Sequence, residues 1–282
     1  MPISLPAPAR ATQPSRPSRE MPAGPKIGGM DAAAYLARIG YDGALTPTAA
    51  TLRALHRAHM MAVPFENLDI FGARRHLTLD PDAFFAKVVG ERRGGFCYEL
   101  NGLFAELLRA LGFEVHFLSA RVAKGTKAGP EFDHMLLLVP LEGVRWIADV
   151  GFGDSSLVPL DFDLDGPQGE PAGAFKLVHD GAEPGFTSMY GLTDAQKWVE
   201  RYRFALVPHP LADFAGMCEY HQVSPDSKFV QNRVCSLPTA AGRITLSGNR
   251  LTLVENGRRT VQRLDEDAFL GALRERFGID LS

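Results

Sequence analysis

Apolar residues recur every three or four positions at Leu100, Leu103, Phe104, Leu107, Leu108 and Leu111, the spacing of one buried helix face. Gly94 and Gly95 precede this run where a chain would turn into a helix, so Cys97 is expected in the first helical turn. The same periodicity places Leu52, Leu55 and Met60 on one face of a helix over 49–61, capped by Thr46 or Thr48. His56 and His59 lie on that helix and read as surface or capping residues rather than ligands. Asp31 caps a short helix through Tyr35 and Leu36, and Asp80-Pro81-Asp82 opens another that ends at Gly90. The first third of the chain is therefore expected to be helical.

Beyond Glu114 the period changes to two. His116–Val122 reads as a strand, 123–133 as a Gly- and Lys-rich loop, and 154–173 as a stretch without regular structure. Further strands are expected at 174–179, 189–192 and 198–204, with Tyr202, Phe204 and Val207 as core. A helix is expected near Phe214–Tyr220, and 225–234 leads into another strand. A hairpin follows around Ser247-Gly248-Asn249, and a last helix over 266–277, capped by Asp265, presents Phe269, Leu270, Leu273 and Phe277 on one face. Helices, then antiparallel strands, then a mixed end make an α+β protein.

One hairpin matters more than the rest. The apolar runs 134–139 and 144–150 are joined by Pro140-Leu141-Glu142-Gly143. With Leu141-Glu142 as the loop, His134 lies directly opposite Asp149; with Glu142-Gly143, the two are diagonal neighbours on one face. Either register sets imidazole beside carboxylate, because strand side chains alternate.

Composition narrows the class. The 282 residues are 45% hydrophobic, enough for one large or two to three small domains. The net charge of −3 leaves no electrostatic footprint for nucleic acid or an anionic membrane, and no apolar run is long enough to cross a bilayer. Three cysteines without paired spacing (Cys97, Cys218 and Cys235) argue against disulfides or a zinc cluster and fit a reducing, cytoplasmic setting. Residues 1–26 form a proline-rich block, expected to be a disordered tail or the product of a misassigned start codon.

Cys97 at a helix N-terminus, His134 at a strand start and Asp149 across the hairpin supply a nucleophile, a base and an orienting acid. The helix dipole and a His134–Asp149 pair would both favour a Cys97 thiolate. Taken one by one, the three residues read as a small core residue, a core histidine and a turn residue. As a set they fit a cysteine acyl-transfer enzyme. A cysteine hydrolase or transglutaminase-like enzyme, a binding protein with an unused triad, and a zinc site built from the same three side chains are the alternatives, the last being weakest.

Val63-Pro-Phe-Glu-Asn-Leu68, Arg93-Gly-Gly-Phe-Cys97-Tyr-Glu-Leu-Asn101, Asp133-His134-Met135, Asp149-Val-Gly-Phe-Gly153 and Ser224-Pro-Asp-Ser-Lys-Phe229 together resemble the arylamine N-acetyltransferase family, in family order from about residue 28 onward. The resemblance implies a Cys97-His134-Asp149 triad arranged as in cysteine proteases. It also implies a helical bundle over 27–112, an antiparallel β-barrel over 113–215 and an α/β lid over 216–282. The implied reaction is ping-pong transfer of acetyl from acetyl-CoA, through the cysteine, to an arylamine or arylhydrazine, without a metal. Phe65, Phe152 and Phe229 match positions lining the acceptor pocket. No glycine fingerprint marks the CoA contacts; Lys124 and Lys127 are candidates for its pyrophosphate on charge alone. The oligomeric state is open, a homo-oligomer included.

Overall fold

The computed structural model describes residues 31–281 except 126, 171–172, 182 and 194–195; the proline-rich block at 1–26 lies outside the described residues. Helix α1 (Ala32–Ile39) is capped by Asp31, whose carboxylate accepts the Ala34 N–H, and α2 (Ala49–Ala62) by Thr48. Pro64 then ends α2, and a two-residue strand β1 (Phe65–Glu66) follows. Helix α3 (Pro81–Phe85) runs into a π-helical turn, Ala86–Gly90, and α4 (Cys97–Ala110) completes the helical region. Leu100, Leu103, Phe104, Leu107 and Leu108 of α4 are all fully buried against Tyr35, Leu52 and Leu55. The helical face predicted from spacing is the core of this region.

The antiparallel strands follow: β2 (His116–Lys124), β3 (Lys127–Ala128), β4 (His134–Leu141), β5 (Val144–Ala148), β6 (Leu160–Asp161), β7 (Gln168–Glu170), β8 (Gly173–His179), β9 (Thr187–Leu192) and β10 (Trp198–His209). They hydrogen-bond in the order β6-β5-β4-β2-β10-β9-β8-β7, with β3 on β2. The edges β6 and β7 meet through Gln168, whose side chain accepts the Asp161 N–H at 2.8 Å and donates to the Asp161 carbonyl at 2.7 Å. The result is a nearly closed antiparallel barrel, its interior filled by Leu118, Leu136, Ile147, Tyr202 and Phe204.

A 3₁₀ turn (Leu211–Phe214), α5 (Ala215–Val223) and a short α6 (Lys228–Gln231) lead to β11 (Val234–Thr239), β12 (Gly242–Ser247), β13 (Arg250–Glu255) and β14 (Arg258–Arg263). Helix α7 (Glu266–Ala272), continued by a π-helical turn, buries Phe269, Leu273 and Phe277 on this second sheet. Its order is β1-β11-β12-β13-β14, so Phe65 and Glu66, from the helical third, pair with Ser236 and Cys235 near the C-terminus. That pairing carries Phe65 to the junction of all three regions.

Five expectations need correction. The 123–133 loop contains β3, and 154–173 contains β6 and β7, strands too short to show alternation. The 225–234 stretch does lead into a strand, β11, but helix α6 (Lys228–Gln231) comes first, with the Ser227 hydroxyl capping the Phe229 N–H. Val207 is 53% exposed, because the β10 register shifts between Phe204 and Pro208 and breaks the alternation. His56 and His59 are buried, not surface residues. Among the described residues no helix is long and apolar enough to cross a membrane.

Candidate active site

The turn before Cys97 is set by close packing. A side chain at Gly94 would place its Cβ 1.9 Å from the Pro64 carbonyl oxygen, so only glycine fits. The Gly95 carbonyl accepts the Glu66 N–H at 2.8 Å, and buried Arg93 pairs with Glu66 at 2.9 Å and Asp69 at 3.2 Å. Helix α4 thus starts against the Val63–Leu68 segment. Glu99 accepts the Phe96 N–H at 3.1 Å, which satisfies one free donor of the helix N-terminus.

Cys97 is the first residue of α4 and 3% exposed. Burial pushes its thiol well above the ordinary range, and the negative charge of Asp149 acts in the same direction, while a hydrogen bond from the Met135 backbone N–H works against both. This differs from the thiolate expected at a helix N-terminus. The dipole contributes at most about 2 kcal/mol, too little to offset complete desolvation of a sulfur anion. The anion needs a neighbouring cation.

The hairpin has the Glu142-Gly143 turn, with both residues at positive φ (54° and 79°), and pairs Leu137 with Ala148. Of the two registers considered, this is the one that makes His134 and Asp149 diagonal neighbours. Asp149 lies one residue past β5, and its Oδ2 accepts from His134 Nε2 at 2.9 Å. A carboxylate only accepts, so Nε2 carries the proton and Nδ1 is the ring nitrogen left for exchange. Tyr202 donates its hydroxyl to the same oxygen at 2.8 Å; Asn101 Nδ2 and the Gly151 N–H each donate to Oδ1 at 3.0 Å. Burial alone would raise the Asp149 carboxyl, but His134 and these hydrogen bonds more than offset it and hold it below the usual carboxylate value.

Asn101 lies one turn along α4 from Cys97 and also bonds the Met135 carbonyl and the Val150 N–H. A Cβ on Gly151 would sit 2.8 Å from Cys97 Cα. The cysteine turn, the start of β4 and the exit from β5 are therefore in direct contact. Reasoning from sequence missed Asn101, Tyr202 and His56. Asn101 carries a signal, four residues from Cys97 on the same helix face. Tyr202 and His56, each a strand or helix away, carry none.

Phe152 packs edge-on to His134 and to Tyr202, with 5.1 Å between ring centroids in both cases. Phe65 and Phe229 face each other at 6.2 Å, and Phe229 also meets Phe96. Phe152 and Gly153 form part of the wall of a cleft of about 710 Å³ between the barrel and the second sheet. Among the described residues, Arg57, Arg201, Arg243 and Arg259 line it against the one carboxylate of Asp154, which pairs with Arg201 at 2.7 Å. Cys97, Phe65 and Phe229 are not on its walls; Phe152 stands between the cleft and His134. Lys124 and Lys127 are not on its walls either; Lys124 lies 3.6 Å from Asp133. Among the described residues, no group of three or more His, Cys, Asp and Glu side chains is placed to hold a metal.

Residues 48–282 match the family model described as N-acetyltransferase. The arylamine N-acetyltransferase of Escherichia coli is 36% identical over 87% of this chain and 87% of its own length; that of Mycolicibacterium smegmatis is 36% identical over 89% and 93%. The structure of the Mycobacterium marinum arylamine N-acetyltransferase in complex with CoA superposes with a TM-score of 0.82 at 31% identity, covering 88% of this chain and 93% of that one. With its sequence matched to these enzymes over most of its length and its fold shared with the solved structure, the chain belongs to the arylamine N-acetyltransferase family and is an acyltransferase.

Proposed function

We propose that this enzyme moves an acetyl group from acetyl-CoA to an arylamine or arylhydrazine in two steps, through a thioester on Cys97. The observation that carries this is the 2.9 Å His134–Asp149 pair packed on the turn that bears Cys97. In the first step the Cys97 proton passes to His134 Nδ1, and the sulfur attacks the thioester carbonyl. A new C–S bond forms, the bond to CoA sulfur breaks, and the departing thiolate takes the proton back from His134. In the second step the amine nitrogen attacks the acetyl-cysteine. Its proton goes to His134, the C–S bond breaks, and the Cys97 anion leaves beside an imidazolium.

Because burial raises the thiol, charge separation is affordable only as a thiolate–imidazolium pair, with Asp149 holding the cationic ring. An arylamine is weakly basic and mostly neutral near pH 7, so it needs little help to attack. Phe65, Phe152 and Phe229 offer aromatic faces to a flat acceptor. The arginine-lined cleft beside Phe152 has the charge that the donor's phosphates require, a better candidate than Lys124 and Lys127.

Incubation with acetyl-CoA alone tests this. Intact-mass spectrometry is expected to show one acetyl group on Cys97 and one equivalent of CoA released, both discharged by added arylamine. Release of CoA only when the amine is present, with no adduct, would mean direct transfer and end the two-step proposal.

A further inference from the structure

The carboxylate of Asp149 takes four donors, and its backbone makes a contact that the proposed chemistry does not use. Its backbone N–H, buried with the rest of the residue, donates at 3.2 Å to Nε2 of His56, a histidine on α2 that is 1% exposed. The other ring nitrogen, Nδ1, lies 3.1 Å from the Leu157 carbonyl oxygen. A carbonyl only accepts and a backbone N–H only donates, so the two bonds fix a single state: neutral, with the proton on Nδ1. The ring also packs edge-on against Phe104 of α4, the helix that begins with Cys97. His56 therefore touches the nucleophile's helix, the backbone of the acid and the loop beyond it.

We infer that His56 is a positioning residue for the reaction, fixing Asp149 through its main chain so that the carboxylate meets His134. The carboxylate end of Asp149 is held by four donors; of the peptides on either side of it, the Val150 N–H is held by Asn101 and the Asp149 N–H by His56. Without an acceptor there, a buried N–H goes unpaired and the chain at 149 shifts to find a partner. A shift of a few tenths of an ångström lengthens the His134–Asp149 bond, which weakens the imidazolium and hence the Cys97 anion. His56 touches neither sulfur nor substrate, so its effect travels through Asp149. Retention of the neutral ring fits the site: burial lowers its pKa to about 4, so it remains an acceptor throughout the working range.

Two substitutions separate the bonds. In His56→Gln the amide oxygen reaches where Nε2 was and can still accept from Asp149; in His56→Asn the amide nitrogen replaces Nδ1 toward Leu157 and the Asp149 bond is lost. The measurement is the rate of Cys97 alkylation by iodoacetamide against pH, alongside kcat/KM and thermal melting, with His134→Ala as reference. The inference rests on the proposed roles of Cys97, His134 and Asp149, and the reference tests those separately. His134→Ala leaving alkylation unchanged would remove that foundation. With the reference behaving as expected, His56→Asn is expected to slow alkylation near pH 7 about tenfold, the size of one hydrogen bond, and to move the profile toward higher pH. His56→Gln should stay within about threefold of wild type, with the profile in place. Equal losses in the two variants with unmoved profiles would make His56 a packing residue only. Should His56→Asn fail to fold, ¹⁵N-labelled histidine in the wild type decides: an Nδ1–H tautomer at pH 7 supports the inference, and an Nε2–H tautomer overturns it.

Discussion

Two buried polar clusters meet the first turn of α4, and they are built on opposite principles. On one side Lys87 lies 2.9 Å from Glu99 and 3.0 Å from Asp69, and Arg93 bonds Glu66 and Asp69. These five side chains are almost wholly buried, and every one has an opposite charge beside it. Burial acts against the Lys87 cation, but the surrounding carboxylates win and raise its pKa, while Lys87 and Arg93 lower that of Asp69. Burial raises the Glu99 carboxyl even beside Lys87, but both cations of the network hold their protons more tightly than usual. On the other side Asp149 is held by a histidine, a tyrosine, an amide and a backbone N–H, beside a thiol whose pKa burial pushes up. There a proton has two places to go. Perturbed pKa values mark both clusters, so perturbation alone does not identify the site; the difference lies in whether the partners are titratable near neutral pH.

The largest test of that contrast is Cys97→Ala. Turnover is expected to fall by about 10⁴-fold or more, as for loss of any covalent nucleophile. The melting temperature should move only a few degrees, since the side chain lost is small. Lys87→Met should do the reverse. Three carboxylates would lose their shared cation in a dry site, at about 3–5 kcal/mol, lowering the melting temperature by about 10 °C; whatever folds should keep normal reactivity of Cys97 to iodoacetamide. A stable, inactive Lys87→Met would place the ion network in the chemistry and erase the distinction.

What the sequence revealed divides along the same line. Cys97 was legible because helix periodicity and the Gly94-Gly95 break are local, and the His134–Asp149 pairing because two strands and one turn span only 16 residues. The choice between the two registers was not legible; it depended on which turn residues adopt positive φ. His56 and Tyr202 were read as surface and core. Their meaning comes from converging on Asp149 across 93 and 53 positions, which no spacing rule reports. The upward push of burial on the Cys97 thiol is not legible, because the dipole is visible in a sequence and desolvation is not.

Acid separates the clusters in a third way. The buried His56 has a folded pKa near 4 against 6.5 in the unfolded chain. Its pKa is depressed, so the unfolded state takes up protons first: the contribution to stability is complete above about pH 6.5 and is lost as pH falls toward 4. Linkage puts this at about 3 kcal/mol. His59, also depressed by burial, adds in the same direction. Asp69 and Asp149, with folded pKa values below the ordinary carboxylate value, add their loss only below about pH 4. Urea titrations are expected to show stability declining from pH 6.5 to 4.5, ahead of the loss contributed by Asp69 and Asp149. A flat profile over that window would mean His56 is not held neutral.

The smallest expected effect is the most discriminating. Tyr202→Phe removes one donor from Asp149 Oδ2 and changes little in volume. Burial and the adjacent carboxylate raise the tyrosine pKa well above its usual value, so its hydroxyl keeps the proton and donates it in a hydrogen bond to Asp149. It then has no proton to exchange, and its loss weakens the hold on the carboxylate by about 1 kcal/mol, a three- to tenfold fall in kcat/KM. The carboxylate keeps His134 on the same oxygen and Asn101 and Gly151 on the other, so its position survives. His134→Ala, by contrast, removes the group proposed to carry the proton between sulfur, CoA and amine. If Tyr202→Phe cost as much as His134→Ala, the tyrosine would be exchanging a proton after all, and the line drawn between holding Asp149 and using it would have to move.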